Sequence, residues 1–139
     1  MVKQIKHEFK VKVYHADTDC YNVVWHGAYF KWLEAGRVEV LESVGISFAE
    51  MEEMGIMMPV TEINIRYKHF GKLYDNLLIA TTIEEFGRTH LTFKHEITNI
   101  DTGKLIVSAK VTGVTTDKQG KLFREIPTYV RDKLETAIL

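Results

Sequence analysis

The chain reads as an α+β domain, and two features carry that expectation. A single long stretch has the 3.6-residue rhythm of an amphipathic helix. It is followed by about four segments of period-two alternation, separated by short turns. Consecutive strands joined by turns pair antiparallel, and helix gathered to one side of such a sheet gives a two-layer domain. At 139 residues, one domain spanning 1–139 accounts for the chain.

Composition narrows the function classes. Lys and Arg number 18 against 19 Asp and Glu, a formal net charge of −1. That balance gives no basic field for nucleic acid. Apolar runs fall short of the ~20 residues that cross a bilayer, so no membrane span is expected. The N-terminus MVKQIKHEFKVKV lacks the continuous apolar stretch of a signal peptide. The single cysteine, Cys20, cannot form an internal disulfide and fits a reducing compartment. The expected location is cytoplasmic.

The elements follow in order. Phe9, Val11 and Val13 alternate with Lys10, Lys12 and Tyr14, a half-buried strand with a cationic outer face. The polar stretch HADTDCYNVVWH is then a loop. From Gly27 to Val44, Tyr29, Trp32, Leu33, Gly36, Val40, Leu41 and Val44 fall on one helical face. Gly36 in mid-helix costs up to ~1 kcal/mol against Ala, which points to close backbone approach there. Gly45 occupies the helix-ending position. Ser47-Phe48-Ala49-Glu50 matches a capping box and predicts a short helix to about Met54.

After Gly55 and Pro59, Thr61–Tyr67 (TEINIRY) alternates as a strand. Leu77–Phe86, Thr89–Thr98 and Lys104–Thr116 are three longer ones. Gly87-Arg88 and Asn99–Gly103 supply the turns between them. Gly120 opens a further turn, and Pro127 precedes a last helix with Val130, Leu134 and Ile138 four residues apart.

Chemistry is concentrated in the loop before the long helix. Asp17, Asp19, Cys20, Asn22 and His26 lie within ten residues and end at a helix N-terminus. Free N–H groups and the positive end of the helix dipole there can hold a carbonyl or an oxyanion. A carboxylate on the approach loop could serve as base or nucleophile toward it. Equally, Asp17 or Asp19 could simply organise the loop through Asx-type bonds.

The run HADTDCYNVVWHGAYFKWLEAGRVEVL resembles the signature of hotdog-fold acyl-CoA thioesterases, of the 4-hydroxybenzoyl-CoA and Tol–Pal-associated types. Thr18-Asp19, Val23-Val24, Trp25-His26 and Tyr29 carry the likeness. It continues through Tyr67, Tyr74-Asp75 and Arg88-Thr89. The resemblance implies an antiparallel sheet wrapped around one long central helix, and hydrolysis of an acyl-CoA thioester. It makes Asp19 the catalytic carboxylate, attacking the thioester or activating water, and gives the backbone N–H of His26 the thioester carbonyl. Tyr29 would bind substrate, and Arg88 and Thr89 would lie near the CoA phosphates. It implies no cofactor and no metal. A homodimer with its sites at the subunit interface is expected, or a tetramer of two such dimers. Relatives usually have Gly where Asn22 stands; Asn is the best non-glycine residue for a positive φ. Phe70 replaces a common Pro.

Other arrangements of these residues carry alternative readings. The six histidines (His7, His15, His26, His69, His90, His95) show no metal-ligand spacing. Cys20 could be a nucleophile with His26 as partner, but the resemblance places no catalysis on it. Glu34 could act as a helix carboxylate, or pair with Arg37 at the surface. Met51, Met54, Met57 and Met58 suit an adaptable acyl pocket and equally a plain core. The functional alternatives are a thioesterase for acyl groups on acyl carrier protein and a non-catalytic acyl-CoA-binding hotdog protein.

Overall fold

A computed structural model describes residues 3–139. Met1 and Val2, where the reading of the N-terminus as free of a signal peptide begins, lie outside the described residues. The elements are β1 (Ile5–Lys12), α1 (His26–Glu42), α2 (Phe48–Glu53), β2 (Val60–Tyr67), β3 (Asn76–Phe86), β4 (His90–Asn99), β5 (Leu105–Val114) and α3 (Thr128–Ala137). A single turn of 3₁₀ helix covers His15–Asp17. The five strands form one antiparallel sheet in the order β1-β3-β4-β5-β2. The first strand begins at Ile5 rather than Phe9, because Ile5 and His7 continue the inward alternation against Ile83 and Thr81.

The long helix packs across β1, β3 and β4 through its predicted face: Tyr29, Trp32, Leu33, Gly36, Val40 and Leu41 are all buried. Two apolar clusters result. One surrounds the start of α1 and includes Tyr29, Trp32, Leu33, Leu77, Ile79 and Ile97. The other surrounds its end and gathers Val40, Leu41, Met51, Phe93, Val130 and Leu134, so α3 caps the core there.

Gly36 sits between these clusters. A β-carbon on it would run into Thr81 Oγ1, which confirms the close approach its mid-helix position implied. Thr81 accompanies a buried histidine at this crossing. His95 Nδ1 is 2.9 Å from Thr81 Oγ1, and His95 Nε2 is 3.4 Å from an Arg37 guanidinium nitrogen. Arginine only donates, so Nε2 accepts and Nδ1–H donates to the threonine. Burial, followed by the charge of Arg37, pushes the His95 pKa down to about 3. Arg37 therefore turns inward to the sheet instead of pairing with Glu34 at the surface.

The capping box of α2 forms in modified shape. Ser47 Oγ accepts the Glu50 N–H, but Glu50 does not reach back to the Ser47 amide. The Tyr129 hydroxyl of α3 stands between them, accepting the Ser47 N–H and donating to Glu50 Oε2 at 2.7 Å. The local signal in this way becomes a tertiary tie between α2 and α3.

β2 differs from every other strand. It lies at the sheet edge beside β5, and seven of its eight residues are exposed. Its partners Val111, Ala109 and Val107 place Ile63, Ile65 and Tyr67 on the face that carries α1, yet Ile63 and Tyr67 remain 42% and 46% exposed.

Candidate active site

The Asp19 loop is built by a chain of short backbone bonds. Asp17 Oδ2 accepts the Tyr14 N–H, and the Asp17 carbonyl accepts the Trp25 N–H, so Asp17 closes the loop at both ends. The Asn22 N–H donates to the Asp19 carbonyl and the Asp19 N–H to the Val23 carbonyl, each at 3.0 Å. This tight turn needs a left-handed residue, and Asn22 supplies it at φ 61°. The departure from glycine is therefore accommodated. Asp19 Oδ1 accepts the Tyr21 N–H at 2.8 Å, and the side chain is otherwise exposed.

The loop delivers the chain to the start of α1. The N-cap residue there is Trp25, and no side chain caps the helix. The Ala28 N–H is taken by the Trp25 carbonyl at 3.0 Å, whereas the N–H groups of His26 and Gly27 have no intrahelical acceptor, and the helix dipole favours negative charge beside them. A β-carbon on Gly27 would meet the Trp25 indole folded over it, so a larger residue here displaces that ring.

Asp19, His26 and Tyr29 line one cavity of about 210 Å³ with Val23, Val24 and Trp25. Its remaining wall comes from Tyr67, His69 and Phe70, where β2 ends. The Tyr29 ring is buried and packs against Trp32 and Tyr67. Its hydroxyl accepts the Gly71 N–H at 3.1 Å and so fixes the 69–71 segment to the helix; burial raises its pKa. The sequence marks Trp25 only as part of the motif and His69 only as one of six histidines, with no role in the site for either side chain; the structure makes both of them walls of the cavity. Tyr21, Trp25, Phe70 and Tyr74 are all exposed at this end of the molecule.

Arg88 and Thr89 lie elsewhere. The Asp19 loop adjoins the Lys12–Asn76 end of the sheet, whereas the β3–β4 hairpin lies beyond Phe86. At ~3.3 Å per residue, β3 separates the two by roughly 30 Å. Arg88 is exposed and 3.9 Å from Glu125. One chain thus does not bring these residues together with Asp19. Cys20 is exposed beside Asp19. Among the described residues, no group of three or more His, Cys, Asp or Glu is placed to hold a metal ion, and no helix is long and apolar enough to cross a membrane.

The fold has counterparts in known proteins. The sequence matches the Thioesterase-like superfamily over residues 13–134. A Synechocystis protein that carries an esterase name is 35% identical over 128 residues, 91% of this chain and 77% of its own length. The acyl-CoA thioester hydrolase YbgC of Escherichia coli is 30% identical over 120 residues, 86% of this chain and 89% of that protein. Among solved structures, the DHNA-CoA thioesterase of Staphylococcus aureus superposes with a TM-score of 0.85 at 28% identity, over 94% of this chain and 87% of that one. A match over most of the length, in sequence and in three dimensions, leaves one conclusion: the chain belongs to the Thioesterase-like superfamily and is a thioester hydrolase with the hotdog fold.

Proposed function

We propose that the thioester hydrolysed is that of an acyl-CoA, that Asp19 is the catalytic carboxylate, and that the amide of His26 binds the developing oxyanion. The observation that carries this is the shared cavity: Asp19 and the first turn of α1 line the same 210 Å³ space. A thioester carbonyl set against the helix start has donors at its oxygen and a carboxylate on its flank. As charge moves onto that oxygen, preorganised N–H groups stabilise it, an effect worth ~2.7–4 kcal/mol for one well-placed donor. Asp19 either deprotonates a water or adds directly to the carbonyl carbon. In the second course a mixed anhydride forms as the thiolate leaves, and water then hydrolyses it. Tyr29 positions the opposite wall through Gly71. The name of the E. coli relative supports CoA as the carrier. Release of free thiol from acyl-CoA, compared with the same acyl group on acyl carrier protein, tests it. Faster turnover of the carrier-protein substrate would overturn the choice of CoA, and recovery of bound ligand uncleaved would overturn Asp19 catalysis.

The active form in this proposal is a homodimer joined at β2, with a tetramer of two such dimers as the larger assembly. An edge strand eight residues long, with unpaired backbone groups and exposed Ile63 and Tyr67, is an open template for another strand. A two-fold axis through it joins two sheets without leaving a new edge. Ile63→Lys places a charge at the centre of that junction. Sedimentation should then show monomer, with hydrolysis lost alongside, while far-UV circular dichroism is unchanged. A variant that stays dimeric and active would remove β2 from the interface.

A further inference from the structure

The cavity beside Asp19 is small. At about 210 Å³ it falls below the ~300–1,000 Å³ usual for a small-molecule site, and Tyr67 and Phe70 on its β2 side are largely exposed. At the other end of β2 lies a larger cleft of about 630 Å³, lined mainly by apolar groups that include Phe48, Ile56, Met57, Met58 and Pro59. Met57 is 42% exposed, and no polar chemistry in the Asp19 site uses this cleft. Within one chain the two spaces lie at opposite ends of an eight-residue strand.

Antiparallel pairing of β2 with a second copy changes that relation. A two-fold axis perpendicular to the sheet keeps both α1-bearing faces on one side, so residues facing each other must share a face. Any pairing centred on a residue meets this condition; one centred at Asn64, near the middle of β2, sets Ile63 opposite Ile65 from both directions. Tyr67 then faces Thr61, and the segment Met57–Pro59 of the second copy runs beside His69 and Phe70. We infer that Met57 and Met58 of one copy form the far wall of the acyl site whose Asp19 belongs to the other. The occupant is an aliphatic acyl chain that continues from the Asp19 cavity into the methionine-lined cleft. Unbranched thioether side chains adapt to a flexible chain. This rests on the Asp19 and dimer readings above and adds the residues that select the acyl group.

The test is a chain-length profile read on mixed dimers. The wild-type kcat/KM should rise roughly fourfold per added methylene until the cleft is filled. Met57→Trp fills the cleft and should cut hydrolysis of the longest good substrate by about tenfold or more while leaving the shortest acyl-CoA within about twofold. Met57→Ala should move the preference the other way, which keeps the test open if the tryptophan variant fails to fold.

Two differently tagged chains, one carrying Asp19→Asn and the other Met57→Trp, are then co-expressed and the doubly tagged dimer is isolated. Its one intact Asp19 faces an unaltered Met57 across the interface. Long-chain hydrolysis should return to roughly half the wild-type rate, one of two sites being whole. Retention of the short-chain profile, or failure to recover any doubly tagged dimer, overturns the inference. Activity retained by the Asp19→Asn homodimer is a separate result, because it overturns the catalytic reading itself.

Discussion

Asp19→Asn should lower kcat by about 10²–10⁴, the range that a positioned base or acid contributes, with the assembly intact. Asparagine is nearly the same size, and its side-chain oxygen can still accept the Tyr21 N–H that Asp19 Oδ1 holds at 2.8 Å. The turn closed by the bonds of Asn22 and Val23 uses only backbone atoms of residue 19, so it survives the change. Melting temperature and dimer mass should therefore match wild type. What is lost is the negative oxygen that takes a proton or attacks carbon. KM should change little, since the wall of the cavity is unaltered, and a fall in kcat with constant KM marks an interaction made in the transition state. Single turnover in ¹⁸O-labelled water tests the nucleophilic course: label entering Asp19 means that an anhydride formed and was opened by water at the aspartyl carbon. A variant within about threefold of wild type would remove Asp19 from the mechanism.

The second large effect is acid sensitivity set by His95. In the unfolded chain this residue titrates near 6.5, whereas in the native core it is held at about 3 by burial and by Arg37. Between those pH values only the unfolded chain gains the proton. Lowering the pH from about 6.5 toward 3 therefore favours unfolding, and the stabilisation is complete only above 6.5. Each unit is worth ~1.4 kcal/mol, so the shift from 6.5 to about 3 amounts to about 5 kcal/mol. That is a large share of the ~5–15 kcal/mol by which domains are stable. His95 is fully buried, so solvent screening does not reduce it. His95→Asn keeps a donor toward Thr81 and removes the titration. Urea midpoints at pH 7, 5 and 4 should fall more steeply for wild type than for the variant. Parallel curves would show that another group governs the acid limb.

The sequence already displayed the elements, for a local reason. Tyr29, Trp32, Leu33, Val40 and Leu41 repeat at helical spacing because one face of a lone helix must be covered, and the strand alternation follows from the pleat. Gly36 was readable as a close approach, since nothing else offsets a glycine in mid-helix. Asn22 was readable as a left-handed turn residue. The Asp19 loop could be located, and its resemblance to thioesterases named its chemistry.

Less was legible where the outcome depends on which surfaces meet. Nothing in the spacing of Arg37 separates a surface pair with Glu34 from an inward bond to His95; that choice arises only when β4 crosses α1. The chain gives no hint that Tyr129 would enter the capping box of α2, because 79 residues separate it from Glu50. Trp25 and His69 became walls of a cavity only once β2 and α1 converged.

The sequence by itself determined the α+β class, the single long helix and the loop that carries Asp19, because periodicity, capping and turn chemistry act over a few residues. Only the tertiary structure decided that β2 is left open, that Arg88 lies at the far end from Asp19, and that His95 is neutral in the core. Those outcomes depend on which surfaces face each other across the fold, and no local pattern of side chains encodes that.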